Sequence, residues 1–175
     1  MLKVNERLKD GSKECIISIE IKYVNGGVQF DIYIAIDGDD IHQKFEKCLL
    51  ENDETNIFRT STQITSTIDK IIDYLQHESL KIIFSAGDCI LCKCETFDLI
   101  DLCNYLGKIG NVNTVSVGVG NTLEKTYVAF KYAKSIRNNR IVLYTLSNKL
   151  EVFDLNIIVP HSSCFAEGLT PCLVE

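Results

Sequence analysis

The sequence predicts an α+β protein built on an antiparallel sheet that carries its helices on one face. The main observation is the order of segments between Phe30 and Tyr144, which runs strand, helix, helix, strand, strand, helix, strand, helix, strand and contains a split βαβ arrangement. The second is the length of 175 residues, which fits one domain. The third is a composition of 46% hydrophobic and 24% charged residues, in the ordinary globular range.

The first strands are indicated by alternation. Cys15 to Tyr23 alternates apolar and polar residues, which predicts a half-buried strand. Asn25-Gly26-Gly27 then predicts a hairpin turn. Phe30 to Ile36 is apolar and β-branched, which predicts a central strand ending at Asp37-Gly38-Asp39-Asp40.

Two helices are expected after this acidic cluster. The first starts near Ile41, because Ile41, Phe45, Cys48 and Leu49 have helical spacing, and the acidic side chains can cap its free N–H groups. The second is marked by apolar residues that repeat at helical spacing: Ile64, Ile68, Ile71, Ile72 and Leu75.

A hairpin, a helix and a further strand are predicted next. Leu80 to Ser85 and Cys89 to Cys94 are expected to be strands joined by the tight turn Ala86-Gly87-Asp88. Phe97 to Leu106 has one apolar face and predicts a helix, and Val112 to Val119 predicts a strand.

The last predicted helix and strands lie near the C-terminus. Asn121-x-x-Glu124 resembles a capping box, so a helix is expected to run through Ser135. The residues expected to face the core are Leu123, Tyr127 and Phe130. Arg140 to Tyr144 predicts a strand, and Leu150 to Leu155 one more possible strand.

The charge balance excludes some classes of partner. Lys plus Arg is 18 and Asp plus Glu is 24, so the formal net charge is −6. Broad binding to long nucleic acid or to anionic membranes is not expected, because neutralising phosphates needs a basic surface. No apolar run approaches the roughly 18 residues of a membrane helix, so no membrane insertion is expected. Met1 to Glu14 lacks the apolar stretch of a secretory signal, and the cytoplasm is the expected location.

Eight cysteines allow two interpretations. Without a signal peptide they are expected to be reduced thiols, buried in strands. The alternative is a zinc site on Cys89-x-x-Cys92, but a second ligand pair at similar spacing is not clearly supplied by Cys103, Cys164 and Cys172.

Acidic residues at the end of a predicted core strand are unusual, because an ionised carboxylate beside a core needs compensation. Asp37 ends the central strand and Asp88 lies in a hairpin turn 51 residues later, so the two converge if their strands are neighbours. With Asp39 and Asp40 nearby, these hard oxygen ligands suit Mg²⁺ or Mn²⁺. The alternative is that Asp and Gly here are only turn residues.

Four cations fall within ten residues at the end of the last predicted helix: Lys131, Lys134, Arg137 and Arg140. One interpretation is a solvated helix face. The other is a clamp for a triphosphate, with Lys134 as a point charge and Arg137 as a fork-shaped donor. Helix N-terminal N–H groups after Asp40 are further candidates for phosphate binding.

Four segments together resemble one family. They are Asp37-Gly38-Asp39-Asp40-Ile41, Ala86-Gly87-Asp88-Cys89-Ile90, Ser116-Val117-Gly118-Val119-Gly120-Asn121-Thr122 and Ala129-Phe130-Lys131-Tyr132-Ala133-Lys134-Ser135. In this order they resemble the minimal CRISPR polymerase (mCpol) family, which is related to GGDEF diguanylate cyclases and to the palm of the type III CRISPR polymerase subunit. The resemblance covers about residues 28 to 146. Residues 1–27 are then an N-terminal extension with one strand, and residues 147–175 a C-terminal strand and tail.

The resemblance implies a ferredoxin-like palm domain that joins nucleoside triphosphates, ATP above all, into a cyclic di- or oligonucleotide for antiphage signalling. It also implies a homodimer and a separate effector that senses the product or lies in a membrane. Carried over by position, Asp37, Asp39 and Asp88 are catalytic, and Asp37, Asp88 and the Gly38 carbonyl bind the metal. The implied nucleotide-binding residues are Asp40, Ile41, Ala86, Gly87, Lys131, Lys134 and Arg137.

Several positions depart from the related pattern. Cys89 stands where GGDEF-type and type III palms carry a second acid, and a thiol is a poor Mg²⁺ ligand. Ala86 replaces the first Gly, Phe45 stands where guanine-reading cyclases have Asn, and Asn138 replaces an Arg. The alternative function is therefore a degenerate palm that binds a nucleotide or cyclic nucleotide as a sensor without turnover.

Overall fold

The computed structural model describes residues 2–8, 15–25, 27–109, 114–136 and 139–155. Fifteen elements follow in chain order: β1 (Leu2–Leu8), β2 (Cys15–Ile21), β3 (Tyr23–Asn25), β4 (Val28–Phe30), β5 (Ile32–Gly38), α1 (Ile41–Leu50), α2 (Glu54–His77), β6 (Lys81–Ala86), β7 (Cys89–Cys94), β8 (Phe97–Asp98), α3 (Leu99–Ile109), β9 (Val115–Gly120), α4 (Leu123–Ile136), β10 (Arg140–Tyr144) and β11 (Leu150–Asp154).

The main sheet has six strands in the order β11-β10-β9-β5-β7-β6. Strands β9, β5, β7 and β6 pair antiparallel, and with their connecting helices they form the split βαβ arrangement predicted from the sequence. Among the described strands, β9 and β10 are the one pair that runs parallel, since α4 returns the chain to the same end of the sheet before β10 begins. The predicted α+β class is confirmed, with a mixed sheet that is compatible with a palm-like fold.

One face of the sheet carries the main core. Alternate residues of β5, namely Ile32, Ile34 and Ile36, have no exposed surface and pack in one cluster with apolar residues of α2 and α3. The predicted apolar positions of α2 lie in or against this cluster, since Ile64, Ile68, Ile71 and Leu75 are buried and Ile72 packs beside them. Period-2 alternation thus leaves Tyr33, Ala35 and Asp37 on the other face.

Helix α4 packs on that other face, so the helices are not confined to one side as the sequence suggested. Ala129 and Ala133 of α4 are fully buried against Val142 of β10. Gly118 of β9 explains the fit, since a Cβ there would lie 2.3 Å from the backbone nitrogen of Phe130. Only small α4 residues can lie at so close a seam.

The predicted core face of α4 was wrong for two of its three residues. Leu123 and Tyr127 are 55% and 59% exposed, whereas Thr126, Ala129 and Ala133 are buried. Large apolar side chains favoured the first set in the sequence, but the close approach to Gly118 and Gly120 selects the small ones.

Both predicted helix caps need correction. Asp40 is the N-cap of α1 in a left-handed conformation, with φ 57°, and its side chain makes no capping hydrogen bond. At α4 the capping oxygen belongs to Thr122, whose hydroxyl accepts a 3.2 Å hydrogen bond from the Lys125 N–H, rather than to Asn121.

The N-terminal segment forms separate small sheets. The predicted strand near Cys15 is present as β2, which pairs antiparallel with β1 and β8. Strand β1 was not predicted, although Leu2 and Val4 alternate with Lys3 and Asn5 in the period of a strand. The predicted hairpin is present as the antiparallel pair β3 and β4, and Gly26 of its predicted turn lies outside the described residues. Residues 156–175 of the predicted C-terminal tail lie outside the described residues.

Candidate active site

Asp37 occupies the end of β5 at one edge of the main sheet. Its neighbours across the sheet are Cys89 of β7 and Ser116 of β9, so its side chain lies on the face that carries α4. The carboxylate is 22% exposed. Burial raises the pKa of Asp37 above its ordinary value, with Lys134 acting against this shift and Asp88 and Asp39 adding to it.

Gly38 brings Asp88 to the same place. The Gly38 N–H donates a 3.2 Å hydrogen bond to the Asp88 carbonyl. A Cβ at position 38 would lie 3.3 Å from the Asp88 Cβ and would collide with the Ile41 side chain, so glycine allows this approach. Gly87 has φ 62°, the sign that a type II′ hairpin turn needs at its first central residue. The convergence of Asp37 and Asp88 that was predicted from the sequence requires neighbouring strands, and β5 and β7 are neighbours.

Lys134 of α4 reaches this strand end with its ammonium group. Its Nζ atom lies 2.8 Å from Oδ2 of Asp37, 2.6 Å from the Gly38 carbonyl oxygen and 3.0 Å from Oδ1 of Asp39. Burial acts to lower the pKa of Lys134, but the hydrogen bonds to Asp37 and Asp39 outweigh it and the pKa is raised. Lys134 therefore carries a firm positive charge between the two carboxylates.

Asp39 is almost fully buried, with 1% of its side chain exposed. Oδ1 accepts hydrogen bonds from Lys134 and from the Ser116 hydroxyl, the latter at 2.7 Å. Oδ2 accepts a 2.9 Å hydrogen bond from the Asn139 backbone N–H. Both oxygens are thus engaged by the protein, which makes Asp39 the anchor that holds α4, β9 and the start of β10 around the end of β5.

Cys89 lies beside Asp37 as its cross-strand neighbour. Burial raises the pKa of the Cys89 thiol, and the charges of Asp37 and Asp88 raise it further. Cys92 lies three residues along the same strand and is fully buried in the core on the opposite face, so the two cannot share one ion. The predicted burial of Cys92 in a strand is confirmed.

The other predicted site residues differ in how close they lie to the acidic end of β5. Asp40 and Ile41 lie at the start of α1, next to the acidic strand end, and Ala86 is the last residue of β6. Lys131 lies with its Nζ 5.8 Å from the centre of the Tyr127 ring. Arg140 pairs with Asp154 at 2.7 Å and does not join a cationic cluster with Lys134. Arg137 lies outside the described residues.

Two residues that bind Asp39, Ser116 and Asn139, received no site role from the sequence. Ser116 is polar and fully buried within β9, and Asn139 has φ 64°, a left-handed conformation that Asn tolerates. A serine inside an otherwise apolar strand is the one signal that pointed to a buried polar partner.

The donor set suits a divalent cation of the hard class. Asp37 and the Gly38 carbonyl present oxygen atoms that already bind one cation, the ammonium of Lys134, and Asp88 is the adjacent carboxylate. Over the residues that the structure describes, no group of three or more His, Cys, Asp or Glu converges as a ready-made metal cluster. Asp37, Asp88 and the Gly38 carbonyl are the described groups that could hold such an ion here.

The sheet topology is compatible with a palm-like fold, in which the acidic end of β5 lies beside Lys134 of α4. The minimal CRISPR polymerase domain model matches residues 33–144, which is most of the chain, and the protein belongs to this mCpol family. No curated protein matches the chain.

Membership gives the general activity. The family carries out nucleotidyltransferase-like chemistry of the polymerase or cyclase kind on nucleotide substrates, and palm domains of this class generally use divalent metal ions. In the described part of the chain, no helix is both long and apolar enough to cross a membrane.

Proposed function

We propose that this protein is a nucleotidyltransferase, dependent on Mg²⁺ or Mn²⁺, that joins ATP into a cyclic di- or oligonucleotide used in antiphage signalling. The observation that carries the proposal is the meeting of Asp37, the Gly38 carbonyl, Asp88 and Lys134 at one sheet edge within the matched domain. The cyclic product, the preference for ATP and the signalling role are what the resemblance to related palms implies.

In the proposed reaction, a ribose hydroxyl of one nucleotide attacks the α-phosphate of another. A new P–O bond forms, the bond between the α- and β-phosphates breaks, the hydroxyl proton passes to solvent and pyrophosphate leaves. Asp37, Asp88 and the Gly38 carbonyl would hold a divalent ion, and this ion would offset phosphate charge and lower the pKa of the attacking hydroxyl.

The residues of this chain have separate proposed tasks. Lys134 has three hydrogen-bond donors and binds phosphate oxygens as a point charge. Asp39 is fully engaged by protein donors, which supports a role in positioning Asp37 and Lys134 and not in touching substrate. Asp40, Ile41, Ala86, Gly87, Lys131 and Arg137 complete the proposed nucleotide site.

One catalytic edge holds one triphosphate, so ring closure requires a second nucleotide brought opposite the first. We expect two copies of the chain to supply this arrangement as a homodimer. The product would then act on a separate effector that senses the cyclic nucleotide. No long nucleic acid is expected as a partner, because the chain carries a net charge of −6.

A second candidate function is favoured by Cys89. Its thiol lies next to Asp37, at the position where related palms place a second acid, and the pKa of this thiol is raised, so it remains protonated. A neutral thiol is a weak ligand for Mg²⁺. The domain would then bind a nucleotide or a cyclic nucleotide as a sensor, without turnover.

Incubation of the purified protein with the four ribonucleoside triphosphates and Mg²⁺ or Mn²⁺, followed by mass spectrometry, separates the two candidates. We expect a cyclic adenylate with release of pyrophosphate. Asp37→Asn and Asp88→Asn should abolish it, whereas Asp69→Asn, the same change on the exposed surface of α2, should not. Retained product in both site variants would overturn the metal assignment, and intact triphosphates with measurable ATP binding would support the sensor.

A further inference from the structure

We infer that the ammonium group of Lys134 competes with the divalent ion for the same oxygen atoms, so that the metal binds tightly only together with a triphosphate. This inference rests on the proposed function and concerns the order in which that site is filled. It starts from a geometrical fact: Nζ of Lys134 lies within 3.0 Å of three oxygens, on Asp37, Gly38 and Asp39.

Two of those oxygens are the ones assigned to the metal. Oδ2 of Asp37 and the Gly38 carbonyl oxygen lie 2.8 Å and 2.6 Å from the ammonium. A divalent ion and an ammonium group on the same oxygens would repel each other at a separation of a few ångströms, where Coulomb energies are large in a partly buried site. The metal and the present position of Lys134 therefore exclude each other.

The third oxygen keeps the displaced side chain close. Oδ1 of Asp39 belongs to a buried carboxylate that needs a compensating charge, since 1% of its side chain is exposed. Lys134 itself is 25% exposed at this edge, so its long side chain has an open side toward solvent. Phosphate oxygens arriving from that side give the ammonium new partners, and Asp37 and Gly38 become available to the metal.

The binding of Mn²⁺ to the purified protein, followed by electron paramagnetic resonance, measures this competition without any turnover. The wild type should bind Mn²⁺ weakly alone and much more tightly with a non-hydrolysable ATP analogue. Lys134→Met should bind Mn²⁺ at least about tenfold more tightly than the wild type without nucleotide, because one nearby positive charge is gone. Lys125→Met removes the same charge from α4 at a position over the Tyr144 ring and should leave the Mn²⁺ affinity unchanged.

A second pair of variants guards against misfolding, because Lys134→Met leaves the Asp39 charge buried without its partner. Asp39→Asn removes that charge, and its amide retains the shape needed by Ser116 and Asn139. Asp39→Asn with Lys134→Met should bind Mn²⁺ at least about tenfold more tightly than Asp39→Asn alone.

The outcomes distinguish this inference from the proposed function. Equal Mn²⁺ affinity with and without Lys134, or tight binding by the wild type without nucleotide, overturns the competition while product formation can still be observed. Absence of Mn²⁺ binding from every variant also overturns it. If the double variant Asp37→Asn with Lys134→Met no longer binds Mn²⁺, the ion bound by Lys134→Met occupies the assigned oxygens.

Discussion

The Ser116 hydroxyl donates a 2.7 Å hydrogen bond to Oδ1 of Asp39, although 77 residues separate them in the chain. This contact joins the residue that follows β5 to the neighbouring strand β9 at the acidic edge of the sheet. The two carboxylates thus differ: that of Asp39 is satisfied inside the protein, whereas that of Asp37 is 22% exposed at the surface.

Asp39→Ala should destabilise the fold strongly. Removing the carboxylate leaves the Ser116 hydroxyl and the Asn139 N–H without their acceptor, and leaves the half-buried Lys134 with Asp37 as its one remaining carboxylate partner. We expect a loss of roughly 2 to 4 kcal/mol in the free energy of unfolding, measured in urea. Asp39→Asn should lose less, and equal stability of the alanine variant and the wild type would contradict the anchoring role.

Asp37→Asn should stabilise the protein at neutral pH. The pKa of Asp37 is raised in the fold, so its ionised form is held less well than in the unfolded chain. That cost is fully present above the folded pKa and disappears as the pH falls through it toward 3.8, the ordinary value. The Tm of the variant should therefore exceed that of the wild type at pH 7, and the gap should close on acidification. A gap that widens toward low pH would refute the assignment.

Gly118→Ala should disturb the site from a distance. The new methyl group would lie 2.3 to 2.5 Å from backbone and Cβ atoms of Phe130, so α4 must shift and carry Lys134 with it. Overpacking of this kind costs roughly 1 to 3 kcal/mol, and we expect nucleotide binding to weaken together with stability. Unchanged ATP binding by Gly118→Ala would show that α4 position does not matter.

Cys89→Asp should make the stability of the protein depend on a divalent ion. A third carboxylate beside Asp37 and Asp88 adds repulsion, so the Tm without metal should fall below that of the wild type. Mg²⁺ binds such an oxygen cluster and should restore the Tm, with Cys89→Ser as the control that changes the thiol without adding charge. The expectation fails if Mg²⁺ shifts both variants equally.

The parts of the fold that the sequence predicted well are those set by strong local patterns. A β-branched run predicted the strand that carries Asp37 at its end, and turn residues predicted the hairpin around Gly87. These patterns therefore located Asp37 at a strand end and Asp88 in the hairpin turn. Strand β10 matches its predicted limits, Arg140 to Tyr144.

What the sequence did not reveal depends on packing between distant segments. Gly118 and Gly120 determine which face of α4 packs on the sheet, because they allow its backbone to approach closely. The spacing of residues within α4 does not reveal this contact. Likewise, the partners of Asp39 include a backbone N–H of Asn139, and a backbone donor carries no signature in a sequence. The site predictions that were based on residue type alone therefore identified Asp39 without identifying what surrounds it.

The position of Asn139 in the chain has a consequence for synthesis on the ribosome. Asp39 is made early, but its backbone donor follows 100 residues later and its ammonium partner 95 residues later. Until α4 and the start of β10 have emerged, a nascent palm has a carboxylate that it cannot bury without cost. The hydrogen bonds around Asp39 can therefore be completed only late in synthesis, after the segment that carries Lys134 and Asn139 has emerged.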